Sequence, residues 1–143
     1  MHKLKPYPFI LLITALRLLW HLLSPVNMTG DESYYWMWGQ NLDWGYYSKP
    51  PFIGWLYALI QETPLIPKTF IIKSVATLFS AGCLYYWYNT LLVVTRNNKV
   101  AFYGLTALAL SPANLLFSCF LTIDSPLMFF WAGALYFLSL IHI

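Results

Sequence analysis

An all-α fold that crosses the membrane several times is predicted by three features of this 143-residue sequence. Hydrophobic residues make up 59% of it and charged residues 9%, against the roughly 25% charged residues of soluble domains. The apolar residues gather in four long runs, near the roughly 20 residues that a helix needs to cross a bilayer. Aromatic residues reach 20%, and Trp and Tyr crowd the ends of these runs, where amphipathic rings meet headgroups. The net charge of +3 is small and scattered, which argues against a nucleic-acid partner and fits orientation signals.

The predicted spans cover residues 7–24, 70–94, 100–120 and 126–143, with an outer loop over 25–69. Lys3 and Lys5 ahead of the first run resemble a signal peptide, but Arg17 and His21 interrupt that run. No small-residue cleavage site follows, so a retained anchor is expected. Arg17 and His21, one turn apart, are read as packing or snorkelling groups. Residues 51–63 would form a helix of only about 20 Å, short of the roughly 30 Å hydrocarbon core. Prolines at Pro50, Pro51, Pro64 and Pro67 bracket it, so it reads as a short juxtamembrane helix. Cys83 and Cys119 lie in apolar runs without a CxxC pair and read as inert packing thiols.

Four spans place Lys3, Lys5, Arg96 and Lys99 on one side, which the positive-inside rule makes cytoplasmic. Asp31, Glu32, Lys49 and Asp124 then share the outer face. Counting 51–63 as a span would move Arg96 and Lys99 outside and separate Asp31 from Asp124.

The outer loop carries the densest chemistry. Asp31 and Glu32 are two of only five acidic residues, and they precede an aromatic run, Lys49 and a double proline. Thr29-Gly30-Asp31-Glu32 has the form of a capping box, with Thr29 as N-cap and Glu32 reaching back. Tyr34, Trp38 and Leu42 recur at i, i+4 and i+8, so the helix over 31–42 is expected to lay that stripe in the headgroups. Capping explains Glu32, and the helix dipole would favour Asp31, as readily as catalysis does. Asp124 precedes Ser125-Pro126, where Ser125 is expected to cap the fourth span. Two outward carboxylates near helix N-termini could equally form a general-base or metal site at Asp31 and Asp124. Lys49, extended before Pro50, could snorkel to water or hold a phosphate.

At these residues the chain resembles the polytopic GT-C glycosyltransferases, specifically the protein O-mannosyltransferase and aminoarabinose-transferase-like group, glycosyltransferase family 39. The first outer loop of that family carries an Asp-Glu pair, an aromatic helix and a Pro-Pro turn. Here these read Asp31-Glu32, Tyr34-Tyr35, Trp38, Gly45-Tyr46 and Lys49-Pro50-Pro51. A second family motif matches Asp124-Ser125-Pro126-Leu127. The resemblance implies transfer of a sugar from a polyprenyl-phosphate donor to a lipid, glycan or protein acceptor, with inversion. Asp31 would be the general base and Lys49 would offset charge on the leaving phosphate. Glu32, Asp124 and Tyr35 would line the substrate site. Either no cofactor is required, or a divalent ion sits at Asp31 and Asp124. The resemblance also implies a multi-pass protein of a bacterial inner (plasma) membrane, its active face outward and periplasmic.

Family members are several times longer. The sequence ends inside its fourth predicted span, and Leu138-Ser139-Leu140-Ile141-His142-Ile143 can be encoded by CTGTCTCTTATACACATC, the end of a transposon sequencing adapter. These features predict an N-terminal, truncated module that inserts but is inactive by itself, with helices missing that would pack against Arg17 and Lys73. A small non-catalytic membrane protein or assembly partner is the alternative, and a transporter fragment a weaker third. A transporter would place ionisable groups in broken helices at mid-membrane.

Overall fold

The computed structural model describes residues 5–24, 26–47, 49–64 and 66–141, which form seven helices and no strand. Lys3 of the predicted inner charge cluster, and the last two residues of the predicted fourth span, lie outside the described residues. The architecture is that of an all-α polytopic membrane protein, with three helices long and apolar enough to span, or four if one bent pair counts as a single span.

Helix α1 (Pro6–Leu23) starts on Pro6, whose missing N–H would have no partner in a first turn anyway. Ile10, Arg17 and His21 fall on one face and pack toward α4, whereas Leu11, Leu12, Leu16 and Leu22 are exposed, as a lipid-facing side would be. Helix α4 (Lys68–Thr95), at about 42 Å, is the axis on which the other spans pack. It ends at Arg96, the one non-glycine residue with positive φ (51°) among the described residues. Asn97 then opens α5, its side chain accepting from the Lys99 and Val100 N–H groups at 3.0 and 3.4 Å.

The third span differs from its sequence expectation. It is two helices, α5 (Asn98–Ala109) and α6 (Pro112–Cys119), bent by 60°. Pro112 has no N–H with which to continue the ladder of α5, and Ser111 Oγ accepts from Asn114 N–H at 3.2 Å to start a new helix. The Ala109 carbonyl left over at the break accepts from Arg17 Nη2 at 2.9 Å. Arg17 also donates to Asn114 Oδ1 (3.0 Å) and Ser80 Oγ (2.9 Å). One guanidinium thus ties α1 to α4 and to both halves of the broken span. Arg17 therefore finds its partners inside this chain, contrary to the expectation that further helices would supply them.

Helices α2 (Gly30–Gln40) and α3 (Phe52–Gln61) lie together at the end of the bundle where α1 stops. The ten residues of α3 are too few to span, as its length in the sequence predicts. Lys68 Nζ closes its C-terminal end on the carbonyls of Ile60, Gln61 and Thr63. The buried side of α2 is Glu32, Tyr35, Trp38 and Gly39, so Trp38, expected in the headgroups with Tyr34 and Leu42, packs within the protein instead. Tyr34 is exposed, and Leu42 lies beyond the helix. The reason is the close approach at Gly39, where a Cβ would stand 2.8 Å from the Ala58 backbone nitrogen and 3.0 Å from the Tyr57 carbonyl carbon. Only a glycine lets α2 touch α3 there. Gly39→Ala should therefore destabilise the pair by about 1–3 kcal/mol, as overpacking does. A thermal melt of the detergent-solubilised protein checks it, and an unchanged midpoint would mean that the helices part freely.

Helix α7 (Asp124–Ile141) packs along α4. It begins one residue before the expected cap. Ser125 lies already inside it, and its hydroxyl faces the Phe117 and Phe120 carbonyls (3.0 and 2.8 Å) at the end of α6. Two buried clusters result: Tyr35, Trp38, Ile53, Tyr57, Ile72 and Leu121 around α2 and α3, and Ile10, Leu84, Tyr88, Ala101 and Leu105 toward the opposite end.

Candidate functional site

The first cluster forms the end of the bundle that carries the acidic residues, and Glu32 is its centre. Thr29 and Glu32 make both bonds of the predicted capping box. Glu32 N–H donates to Thr29 Oγ1 (3.3 Å), and Thr29 N–H donates to Glu32 Oε2 (2.9 Å). The same Oε2 accepts from Lys73 Nζ at 2.5 Å, and Oε1 accepts from Leu121 N–H at 3.0 Å. Glu32 is fully buried and Lys73 is 2% exposed. The expectation that Glu32 contacts substrate is thus at odds with its burial, because its lone pairs are committed to α2, α4 and the turn before α7. Lys73, like Arg17, is satisfied within the chain.

Asp31, one residue earlier, is exposed in the first turn of α2, and no hydrogen bond or ion pair holds its carboxylate among the described residues. Asp124, first in α7, is half-buried, with Thr122 Oγ1 3.4 Å from its Oδ2. Tyr35 lies within reach of both charges. Burial first, then Asp31 and Asp124, push its hydroxyl above the ordinary tyrosine range. The predicted neighbourhood of Asp31, Glu32, Tyr35 and Asp124 is therefore one place in the fold.

Lys49 is set apart from it. Its backbone pairs with Tyr46 through Lys49 N–H to Tyr46 O (2.6 Å) and Tyr46 N–H to Lys49 O (3.2 Å). Tyr46 is wedged, its ring stacked on Trp38 at 4.4 Å and its hydroxyl 3.0 Å from the Trp38 carbonyl. Across the ring stands Gly54, where a Cβ would come within 2.6 Å. The loop is thus fixed at Tyr46, while the half-buried Lys49 side chain has no partner among the described residues. Among the described residues no hydrogen bond or ion pair joins Lys49 to Asp31 or Asp124.

Sequence reasoning missed Lys73, His21 and Tyr57 as parts of this end. His21 Nε2 lies 3.2 Å from Thr77 Oγ1, one turn of α4 beyond Lys73. Tyr57 donates to the Leu121 carbonyl at 2.8 Å, so both backbone groups of Leu121 are held, one by α2 and one by α3. Burial, then Glu32 and Tyr35, raise the Tyr57 hydroxyl far above the ordinary value of 10.0. A raised phenol contributes stability that is complete below the unfolded value and is lost as pH climbs from about 10 toward the folded value. Unfolding midpoints should therefore fall above about pH 10, and Tyr57→Phe should flatten that fall. An equally steep fall in Tyr57→Phe would refute the assignment.

Two adjoining apolar clefts, of about 390 and 330 Å³, run between α1 and α6 and share Trp20, His21, Leu115 and Cys119. The first reaches Phe120, whose ring lies 4.6 Å from Lys73 Nζ. Among the described residues no three His, Cys, Asp or Glu side chains converge. Asp31 and Asp124 supply two carboxylates, so a hard divalent cation held by them would take its remaining ligands from water and a donor phosphate.

Fold and site together describe a polytopic membrane protein with carboxylates grouped at one end of its bundle. Over 105 residues the chain is 34% identical to a lipid A galacturonosyltransferase of Rhizobium johnstonii. The match covers 73% of this chain and 22% of that protein, so the chain spans about a fifth of the relative's length. This similarity supports a glycosyltransferase family rather than any particular group within it. No family model matches the chain, and no solved structure does.

Proposed function

We propose that this chain is the N-terminal transmembrane module of a longer glycosyltransferase of the GT-C type, passing a sugar from a polyprenyl-phosphate donor to an acceptor at the outer face of a bacterial inner membrane. The observation that carries the reading is Asp31, an exposed, unpaired carboxylate held one residue from a fully buried anchor. Asp31 takes the proton of an acceptor hydroxyl as its oxygen attacks the anomeric carbon. The bond from that carbon to phosphate oxygen breaks, the centre inverts, and polyprenyl phosphate leaves with its charge offset by Lys49. Asp124 and Tyr35 line the acceptor side. The clefts along α1 and α6 offer a prenyl chain an apolar path toward this end.

The relative's name favours a uronic acid as the sugar and lipid A as the acceptor. A non-catalytic membrane protein accounts for Glu32, Lys73 and Arg17, whose bonds are all internal, but gives no role to the similarity with a glycosyltransferase. Arg17 does sit at a broken helix, as a transporter would have it, yet its donors meet groups of this chain. The test is turnover by the full-length protein in proteoliposomes, given polyprenyl-phosphate sugars that include galacturonate, with lipid A, glycan or peptide acceptors. Acceptor-dependent release of polyprenyl phosphate is expected, and none with any pairing would overturn the proposal.

The outward orientation has its own check. Tyr7 lies 6.3 Å from Tyr88, and Asn98 donates to Tyr88 Oη at 2.9 Å, so the start of α1 and the turn with Arg96 and Lys99 share one end. With Cys83 and Cys119 replaced, Ser33→Cys should label with an impermeant thiol reagent on intact cells and Lys99→Cys should not. The reverse pattern would invert the topology.

A further inference from the structure

Glu32 does more than cap a helix. Its carboxylate joins three separate parts of the chain: the turn at Thr29 before α2, Lys73 in the central span, and the Leu121 amide three residues before Asp124. Asp31 follows Glu32 covalently, and Asp124 follows Leu121 through a short, hydrogen-bonded turn in which Thr122 N–H donates to the Phe120 carbonyl (3.0 Å). Tyr57 clamps the other side of Leu121. One buried ion pair thereby sets where both outer carboxylates stand.

We infer that Lys73 and Glu32 are positioning residues that hold Asp31 and Asp124 in a fixed relation across α2 and the α6–α7 turn. The inference rests on the reading of Asp31 as the base. Lys73 touches no substrate, and it acts by neutralising Glu32 so that the carboxylate can be buried while still accepting the Leu121 amide. A capping box needs no such partner, since an exposed Glu reaches back equally well. Neither does the stability of a buried layer, since an apolar pair of similar volume packs as well or better than buried charges. What apolar side chains cannot do is hold the Leu121 N–H.

The decisive variant is Glu32→Leu/Lys73→Met, which leaves no orphaned charge and is expected to stay folded. Hydrogen exchange in lipid gives a readout independent of activity. The Leu121 amide should exchange at least about tenfold faster, while amides along α4 and α7 keep their protection, the mark of local release rather than global unfolding. In the full-length enzyme kcat should fall about 10²-fold, the cost of a misplacement near 1 Å, with donor KM within about twofold. Combined with Asp31→Asn, the double variant should be little slower than Asp31→Asn alone, because both changes act through one group. Unchanged exchange at Leu121 overturns the inference whatever the activity. So does a rate loss that multiplies fully with that of Asp31→Asn. Full activity of Asp31→Asn alone would instead sink the catalytic reading, and the exchange result would still decide the positioning.

Discussion

Asp31→Asn should abolish nearly all sugar transfer by the full-length protein while leaving it folded and inserted. The substitution keeps size and hydrogen-bonding capacity at an exposed first-turn position, so the structural loss is confined to the dipole interaction, about 0.3–1 kcal/mol. The chemical loss is much larger. Removing a general base costs about 10²–10⁴-fold in rate, because the acceptor hydroxyl must then lose its proton to water. kcat should carry the change and donor KM should not, since the base acts in the transition state. Asp124→Asn, in contrast, should fall short of that loss. Turnover by Asp31→Asn within about threefold of the unmodified enzyme would return Asp31 to the role of a helix-end charge.

The largest effect on stability is expected from Lys73→Met. It strands the Glu32 carboxylate, fully buried, with its closest counter-charge gone. Breaking a buried pair from one side costs about 3–5 kcal/mol, whereas replacing both members is often neutral. Lys73→Met should therefore lower the denaturation midpoint sharply in detergent, and Glu32→Leu/Lys73→Met should recover most of it. Equal midpoints for the single and double variants would show that the pair is not charged or not buried in the membrane-embedded protein. The result also bears on function, because a site that depends on this pair fails in the single variant through unfolding and in the double through loosened geometry.

Much of this arrangement is legible in the residues, and what is not has physical causes. The capping box at Thr29 and Glu32 is local, three residues apart, and the structure forms it as read. The short α3 follows from its flanking prolines, and helices α1, α4, α5 and α7 start within about two residues of the four apolar runs. Lys73 escapes because its partner lies 41 residues away, and nothing in a lone lysine within an apolar run tells which distant carboxylate will meet it. The break at Ser111-Pro112 does carry a signal, a cap residue followed by proline, but it is masked by the continuous hydropathy around it. The face of α2 misleads because aromatic side chains surround that helix. Gly39, not the aromatic stripe, marks the side that packs. Ser125 reads as a cap, yet helix α7 starts at Asp124 and the hydroxyl serves the end of α6 instead.

The claim that Asp31 is the base is tested most directly by restoring the missing carboxylate from solution. In Asp31→Ala the first turn of α2 keeps its cap at Thr29, and a small space opens where the carboxylate stood. Formate added to this variant should raise the rate of polyprenyl phosphate release in proportion to its concentration, recovering at least about tenfold of the lost rate. The same formate should leave the unmodified enzyme and Asp124→Ala unchanged. Substantial turnover by Asp31→Ala without formate, or a response to formate equal in all three proteins, would contradict the account.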